Sequence, residues 1–235
     1  MRKSTPDEIR ERFDHDVERF SNLETGQTAA VDGALAFDLI AQSAAGATPH
    51  ATALLDVGCG AGNFSLKLLQ AVPRLAVTLC DLSRPMLNRA QERVSAAGAA
   101  SVTTVHGDIR EVELGGEAFD IVVGAAVFHH LREEHEWRDV FGKIYRALRP
   151  GGSFWIYDLV AHRMAAVQDL MWRRYGEYLE SLKGPAYRRH VFAYVEQEDS
   201  PRPLLFQIDV LRAAGFAEVE VLHKNGCFAA FGGIR

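Results

Sequence analysis

Apolar positions recur at helical spacing near the start of the chain and later gather into short runs. Ile9, Phe13, Val17 and Phe20 follow one another every three or four residues, which predicts a helix with one apolar face. Thr5-Pro6-Asp7-Glu8 is its start: Thr5 caps, Pro6 suits the first turn and Glu8 completes a capping box. A second helical stretch spans roughly 28–44, before the breaker at 46–50. From there, apolar runs of strand length lie at 52–57, 75–81, 101–106, 119–125 and 153–159. Helical stretches at 61–71, 84–97 and 134–148 separate most of them. Ser83 with Pro85 marks one helix start, and Arg149-Pro150-Gly151-Gly152 marks one helix end. Strands alternating with helices predict an α/β fold, a parallel sheet covered on both faces.

Residues 160–200 break this rhythm with a long aromatic and charged stretch, which predicts an inserted helical cap. The rhythm returns with a helix at 203–214 and strands at 216–223 and 227–233. Lys224-Asn225-Gly226 between those strands is a turn signal, so they should form a hairpin and end the sheet with an antiparallel strand. The expected organisation is one domain over 1–235, with a helical N-terminal segment (1–50) and a helical lid (160–200).

Length and composition agree with one domain: 235 residues, 48% of them apolar, can bury a sizeable core. The formal net charge of −5 argues against non-specific nucleic-acid binding, so a nucleic acid is not expected as direct substrate. Cys59, Cys80 and Cys227 are far apart and odd in number, which indicates neither a disulfide framework nor a zinc knuckle. No apolar run reaches the roughly 18 residues of a membrane span, and the charged N-terminus lacks a signal core. A cytoplasmic protein without a membrane partner is the expectation.

The chemistry gathers around Leu54–Gly62, "LLDVGCGAG". Gly58, Gly60 and Gly62 form G-x-G-x-G at a strand-to-helix turn, whereas a dinucleotide fingerprint would be G-x-G-x-x-G aimed at a pyrophosphate. Asp56, just ahead of the loop, would repel a pyrophosphate and favours a ligand bearing positive charge. No Lys-Ser/Thr follows the loop, so a P-loop fails as well. Asp81, at the tip of the next strand, can accept both ribose hydroxyls. A nucleoside carrying an amino acid and no phosphates satisfies both carboxylates, and S-adenosylmethionine is that molecule. The competing assignment makes Asp56 and Asp81 caps of the helices that follow them. Asp108, ending a third strand, can accept the exocyclic amine of adenine, with the Ile109 N–H donating to the ring. Asp108 can equally be an ordinary loop aspartate.

"LLDVGCGAG", "LCDLS", "HGDIR", "FDIVVGAAVFHHL" and "RALRPGG", in this order over roughly 50–158, resemble the motif series of class I S-adenosylmethionine-dependent methyltransferases. The resemblance implies a three-layer sandwich around a seven-stranded sheet with a reversed last strand, and S-adenosylmethionine as cofactor. By motif match, Asp56, Gly58, Gly60 and Gly62 take the methionine end and Asp81 the ribose. Leu82 flanks the adenine and Asp108 and Ile109 read its edge, with Met86 and Ala125 completing the cofactor contacts. "DLSRPML", "GDIRE" and "KIYRALRPGG" are also similar to carboxy-S-adenosylmethionine synthases of tRNA uridine modification. Their serine-bearing glycine loop is absent here. That likeness leaves a synthase, and a non-catalytic nucleotide-binding protein, as alternatives to a methyltransferase acting on a small molecule.

Methyl transfer needs positioning more than acid–base help, and a base matters only for an acceptor protonated at working pH. His129 and His130, after the fourth strand, are the candidates, with lining of the pocket as the alternative role. Together with His135 they invite a metal-site assignment. Adjacent histidines of a strand point to opposite faces, and neither a nearby cysteine nor an H-E-x-x-H pattern assists, so no metal is expected. Within 160–200, Tyr175, Arg188 and Arg189 are the candidate substrate contacts, since arginine holds a carboxylate through two parallel hydrogen bonds. The alternatives are rings packed on the sheet and solvated arginines, or a second copy of the chain meeting this end in a homodimer.

Overall fold

Helix α1 (Pro6–His15) starts at Thr5, whose hydroxyl accepts the Glu8 N–H while the Glu8 carboxylate accepts the Thr5 N–H. These details come from a computed structural model that describes residues 2–22 and 28–235. Residues 1 and 23–27 of the expected N-terminal segment lie outside the described residues. The apolar run of α1 continues into α2 (Val17–Ser21) after an interruption at Asp16. Helix α3 (Gly33–Ala47) begins later than position 28, because Asp32 ahead of it adopts a left-handed backbone at φ +62°.

Seven strands then form one sheet: β1 (Ala53–Val57), β2 (Ala76–Asp81), β3 (Ser101–His106), β4 (Phe119–Ala125), β5 (Leu148–Leu159), β6 (Glu218–Asn225) and β7 (Phe228–Ile234). Their order is β3-β2-β1-β4-β5-β7-β6. Pairings from β3 across to β5 are parallel, and β7 is antiparallel to both β5 and β6. The central strands read as nearly unbroken apolar runs because both faces are buried. Leu54, Ile121 and Trp155 face one core with α3, α4 (Asn63–Ala71), α5 (Arg84–Ala96) and α7 (Ala165–Glu198). Leu55, Val122 and Phe154 face the other, with α6 (Glu134–Ala147) and α8 (Leu204–Ala214).

Two local expectations shift. Arg149-Pro150-Gly151-Gly152 does not only end α6; it lies inside β5 as an irregularity where the register against β4 slips. Gly151 turns there at φ +79°, and a Cβ on Gly152 would stand 2.9 Å from the Asp120 carbonyl oxygen. The final hairpin turns one residue later than expected, because Asn225 pairs with Phe228 and Gly226 takes φ +56°.

The 160–200 segment is mostly α7, broken by non-helical Lys183 and Gly184 ahead of Pro185, whose ring cannot continue a helix. Its rings serve the core: Tyr175 is buried, and Trp172, Tyr178, Tyr187, Phe192 and Tyr194 pack against the α3 side. Among the described residues, no helix is long and apolar enough to cross a membrane.

Candidate active site

The loops that leave β1, β2, β3 and β4 converge at one edge of the sheet, as the carboxyl ends of parallel strands do. They wall a cavity of about 670 Å³, a size that encloses small ligands. The opposite wall comes from α1 and α2 through Ile9, Arg12, Phe13 and Phe20, and from α7 through Tyr175, Tyr187, Tyr194 and Val195. Ser83 Oγ donates to Asp14 at 2.5 Å and Asn63 Nδ2 donates to the Phe20 carbonyl at 2.9 Å, which tie α1 to the start of α5 and α2 to the start of α4.

Gly58 and Gly60 line the cavity in left-handed conformations, φ +63° and +50°. The Gly58 and Cys59 N–H groups both donate to the Cys80 carbonyl, at 2.8 and 3.1 Å, so the loop wraps over the end of β2. A Cβ on Gly58 would stand 2.4 Å from Val127 Cγ2, whereas one on Gly60 would meet open space. Gly62 does not line the cavity. It stands at the α4 N-cap, φ +83°, where a Cβ would press on Val94 and Ala90 of α5, so its smallness serves helix packing rather than a ligand.

Asp56 reaches the cavity wall from the end of β1, but it also does what the competing assignment gave it. Its Oδ2 accepts the Ser65 Oγ–H at 2.6 Å and the Ser65 N–H at 3.2 Å, in the first turn of α4. Burial pushes its carboxyl up to about 7 against those hydrogen bonds, with a further upward push from Asp81. Asp81 accepts the Gly60 N–H and the Ser83 N–H, each at 2.8 Å, and so braces the glycine loop while lining the cavity. Ser83, not Asp81, caps α5. Leu82, Met86, Ile109 and Ala125 line the cavity as well. Asp108 lines it too, yet is neither bare nor idle. Arg110 grips it through Nε at 3.0 Å to each oxygen, and Arg110 in turn bonds Glu136 at 2.9 Å.

The residues therefore suit a cofactor that is cationic where it meets acid. Three carboxylates face the loop end of the cavity, and Gly60 leaves room for a ligand at its wall. Neither Arg188 nor Arg189 lines the cavity: Arg188 pairs with Glu180 at 2.9 Å and lies over the Phe192 ring, and Arg189 is exposed. The arginines that line it are Arg12, Arg19, Arg110 and Arg132, from helices and loops that the sequence reading did not single out. Tyr175 does line it, with its hydroxyl donating to the Ala29 carbonyl at 2.9 Å.

His129 and His130 occupy a 3-10 turn (Phe128–His130), not a strand. The argument that adjacent histidines diverge thus fails, and their ring centroids lie 4.4 Å apart. Both line the cavity, while His135 is exposed on α6. Asp158, near the end of β5, accepts from His129 Nδ1 and takes the backbone N–H groups of Phe128 at 2.8 Å and His129 at 3.3 Å. Asp199, just past α7, places Oδ1 at 3.6 Å from His129 Nε2 and 3.4 Å from His130 Nδ1. Burial pulls the His129 imidazole down, but Asp199 and Asp158 outweigh it and hold the ring above its ordinary value. Burial and the charges of His129 and Arg12 push His130 well below. Asp158 could have been found by the same rule as Asp56 and Asp81, an acid at the carboxyl end of a strand. Asp199 carries no such signal.

A family model described as a methyltransferase domain matches residues 54–152. A demethylmenaquinone methyltransferase of Anoxybacillus flavithermus is 29% identical over 174 residues, 72% of this chain and 72% of that protein. Among solved structures, an O-methyltransferase family protein from Burkholderia thailandensis matches with a TM-score of 0.66 at 19% identity, covering 95% of this chain and 61% of its own. Human N-acetylserotonin methyltransferase in complex with S-adenosylmethionine matches with a TM-score of 0.61 at 17% identity, covering 98% of this chain and 56% of its own. The chain thus spans a little over half the length of these solved chains. The relatives favour neither the synthase nor the non-catalytic alternative. The glycine loop, the acids at successive strand ends and the reversed last strand agree with these likenesses: residues 54–152 match a methyltransferase domain, and the chain has the fold of S-adenosylmethionine-dependent methyltransferases.

Proposed function

We propose that this protein transfers the methyl group of S-adenosylmethionine to a small-molecule acceptor with an apolar, ring-bearing body. One observation carries the reading: a single cavity runs from Gly58, Gly60 and Asp81 to a chamber walled by Phe13, Tyr175, Tyr194 and Phe228, with His129 and His130 beside it. Aromatic walls favour a flat apolar ligand, and the demethylmenaquinone methyltransferases similar to this chain are named for an acceptor of that kind.

The cofactor supplies an electrophilic methyl on a positively charged sulfur, and the protein supplies position. Asp56 and the glycine loop take the methionine end, Asp81 the ribose, and Leu82, Met86, Asp108, Ile109 and Ala125 the adenine side. Helices α1, α2 and α7 cover the cavity and keep water from the transfer. An acceptor nucleophile held about 3 Å from the methyl needs little more than alignment. Where the acceptor carries a proton, His130 stands at the chamber wall with Nε2 available to receive it, and Asp158 fixes the neighbouring His129 ring. Arg188 and Arg189 stand outside the cavity, which leaves the synthase alternative without its carboxylate clamp at these two residues.

The test is transfer from S-adenosylmethionine labelled at the methyl, offered to a panel of phenols, hydroquinones and aromatic amines. The expected result is a labelled small molecule whose formation is lost in Asp81→Ala. Label appearing only in RNA or protein, or cofactor remodelled in the absence of any acceptor, overturns the reading.

A further inference from the structure

We propose that His129 Nε2, His130 Nδ1 and Asp199 Oδ1 bind a divalent transition-metal ion, zinc by the chemistry of the donors, at the wall of the cavity. Among the described residues these three form a group whose ligand atoms all lie within 4.8 Å of one another. The two measured gaps, 3.6 and 3.4 Å to Asp199 Oδ1, are too long for good hydrogen bonds. They are close to the spacing a metal imposes. Zinc holds histidine nitrogen and carboxylate oxygen at about 2.0–2.2 Å, which puts tetrahedral donors roughly 3.3–3.6 Å apart.

The polar accounting points the same way. Asp199 Oδ1 and both ring nitrogens of His130 are buried without a hydrogen bond of good geometry among the described residues, the Glu198 backbone being a polar neighbour of the His130 ring. Protons on His129 Nε2 and His130 Nδ1 could both point at Asp199 Oδ1, but at 3.6 and 3.4 Å neither makes a hydrogen bond of good length. One cation satisfies all three donors at once, and buried polar atoms left unmatched are costly.

The surroundings are those of a built site. His129 Nδ1 is engaged by Asp158, so the lone pair left for a metal is on Nε2. Asp158 is itself fixed by the N–H groups of Phe128 and His129. The Asp199 segment is pinned to the histidine turn, since the Ser200 N–H donates to the His129 carbonyl at 2.7 Å, and Lys3 Nζ reaches the Asp199 carbonyl. Arg12, the nearby cation, is already paired with Glu198 at 2.5 Å. Two imidazoles and one carboxylate leave a fourth tetrahedral position open, and the residues that supply them line the cavity. If the reading as a small-molecule methyltransferase holds, an acceptor oxygen, phenolic or carboxylic, is the ligand for that position.

The experiment is metal binding by chelator-treated full-length protein, with no methyl transfer involved. Zinc is titrated calorimetrically, and cobalt(II) is titrated by its visible absorption. One equivalent bound at micromolar or lower dissociation constant is expected. Asp199→Asn and His130→Ala should each weaken binding at least tenfold, and Asp158→Asn about 10–100-fold, while S-adenosylhomocysteine affinity is retained. X-ray absorption of the zinc-loaded parent should show nitrogen and oxygen neighbours only, at about 2.0–2.2 Å, which keeps the proposal testable if a variant fails to fold. No saturable binding by the parent, or variants that bind metal as the parent does, overturns it. A failed methylation assay beside a positive titration bears on the proposed reaction and not on the site.

Discussion

If Asp56 holds the cofactor as proposed, binding depends on pH in a way that can be read directly. Its carboxyl is buried at the end of β1 and titrates near 7 because burial raises it more than the two Ser65 hydrogen bonds lower it. A cationic ligand group beside it needs the ionised form. The sign follows: affinity for S-adenosylhomocysteine is full above pH 7 and is lost as the pH falls, because a proton must then be expelled for the ligand to bind. With a midpoint of 7, about a tenth of the protein is ionised at pH 6 and about nine-tenths at pH 8, so affinity should change roughly tenfold, about 1.4 kcal/mol. Calorimetry at these pH values in phosphate and in imidazole, whose ionisation heats differ, counts the proton released, close to one at pH 6. Asp56→Asn keeps an acceptor for Ser65 and removes the titration, so its profile should retain only the pH dependence of the ligand itself. If parent and variant profiles run parallel between pH 6 and 8, the carboxylate does not hold the cofactor and serves only to anchor α4.

Three further outcomes follow from the same geometry. Gly58→Ala combines a left-handed residue with an overlap on Val127, together about 2–5 kcal/mol, whereas Gly60→Ala meets open space and costs about 1–2 kcal/mol; thermal unfolding should rank them in that order, and equal midpoints would refute the close approach. Asp81→Ala should weaken S-adenosylhomocysteine binding at least tenfold, since each hydrogen bond to a charged acceptor contributes about 1.5–3 kcal/mol; an unchanged dissociation constant would leave Asp81 a brace for Gly60 and Ser83 alone. Arg188→Ala and Arg189→Ala should leave the affinity for S-adenosylmethionine and for its carboxylated analogue within about twofold, as surface charges do; a selective loss for the analogue at either position would revive the synthase alternative.

The sequence by itself determined the sheet and most of the cavity edge formed by its loops. Alternating strand and helix periods specify a parallel sheet, and parallel strands deliver their following loops to one edge, so Gly58, Gly60, Asp81 and Ile109 had to meet there. The Thr5 capping box and the Ser83 cap were legible for the same reason, because each is completed within four residues of chain. What only the tertiary structure decided are relations between distant segments. Asp199 meets the histidine pair across some seventy positions of sequence, and no local pattern encodes that approach. Whether the arginines of α7 face the cavity depends on how that helix is rotated, and packing of its aromatic residues against the α3 side turns Arg188 toward Glu180 instead. Gly62 matched the motif as well as its neighbours did, but the closeness of α5 gives it a packing duty. The histidines were misplaced by a single backbone choice: a strand would have separated their rings, and the 3-10 turn after β4 brings them together.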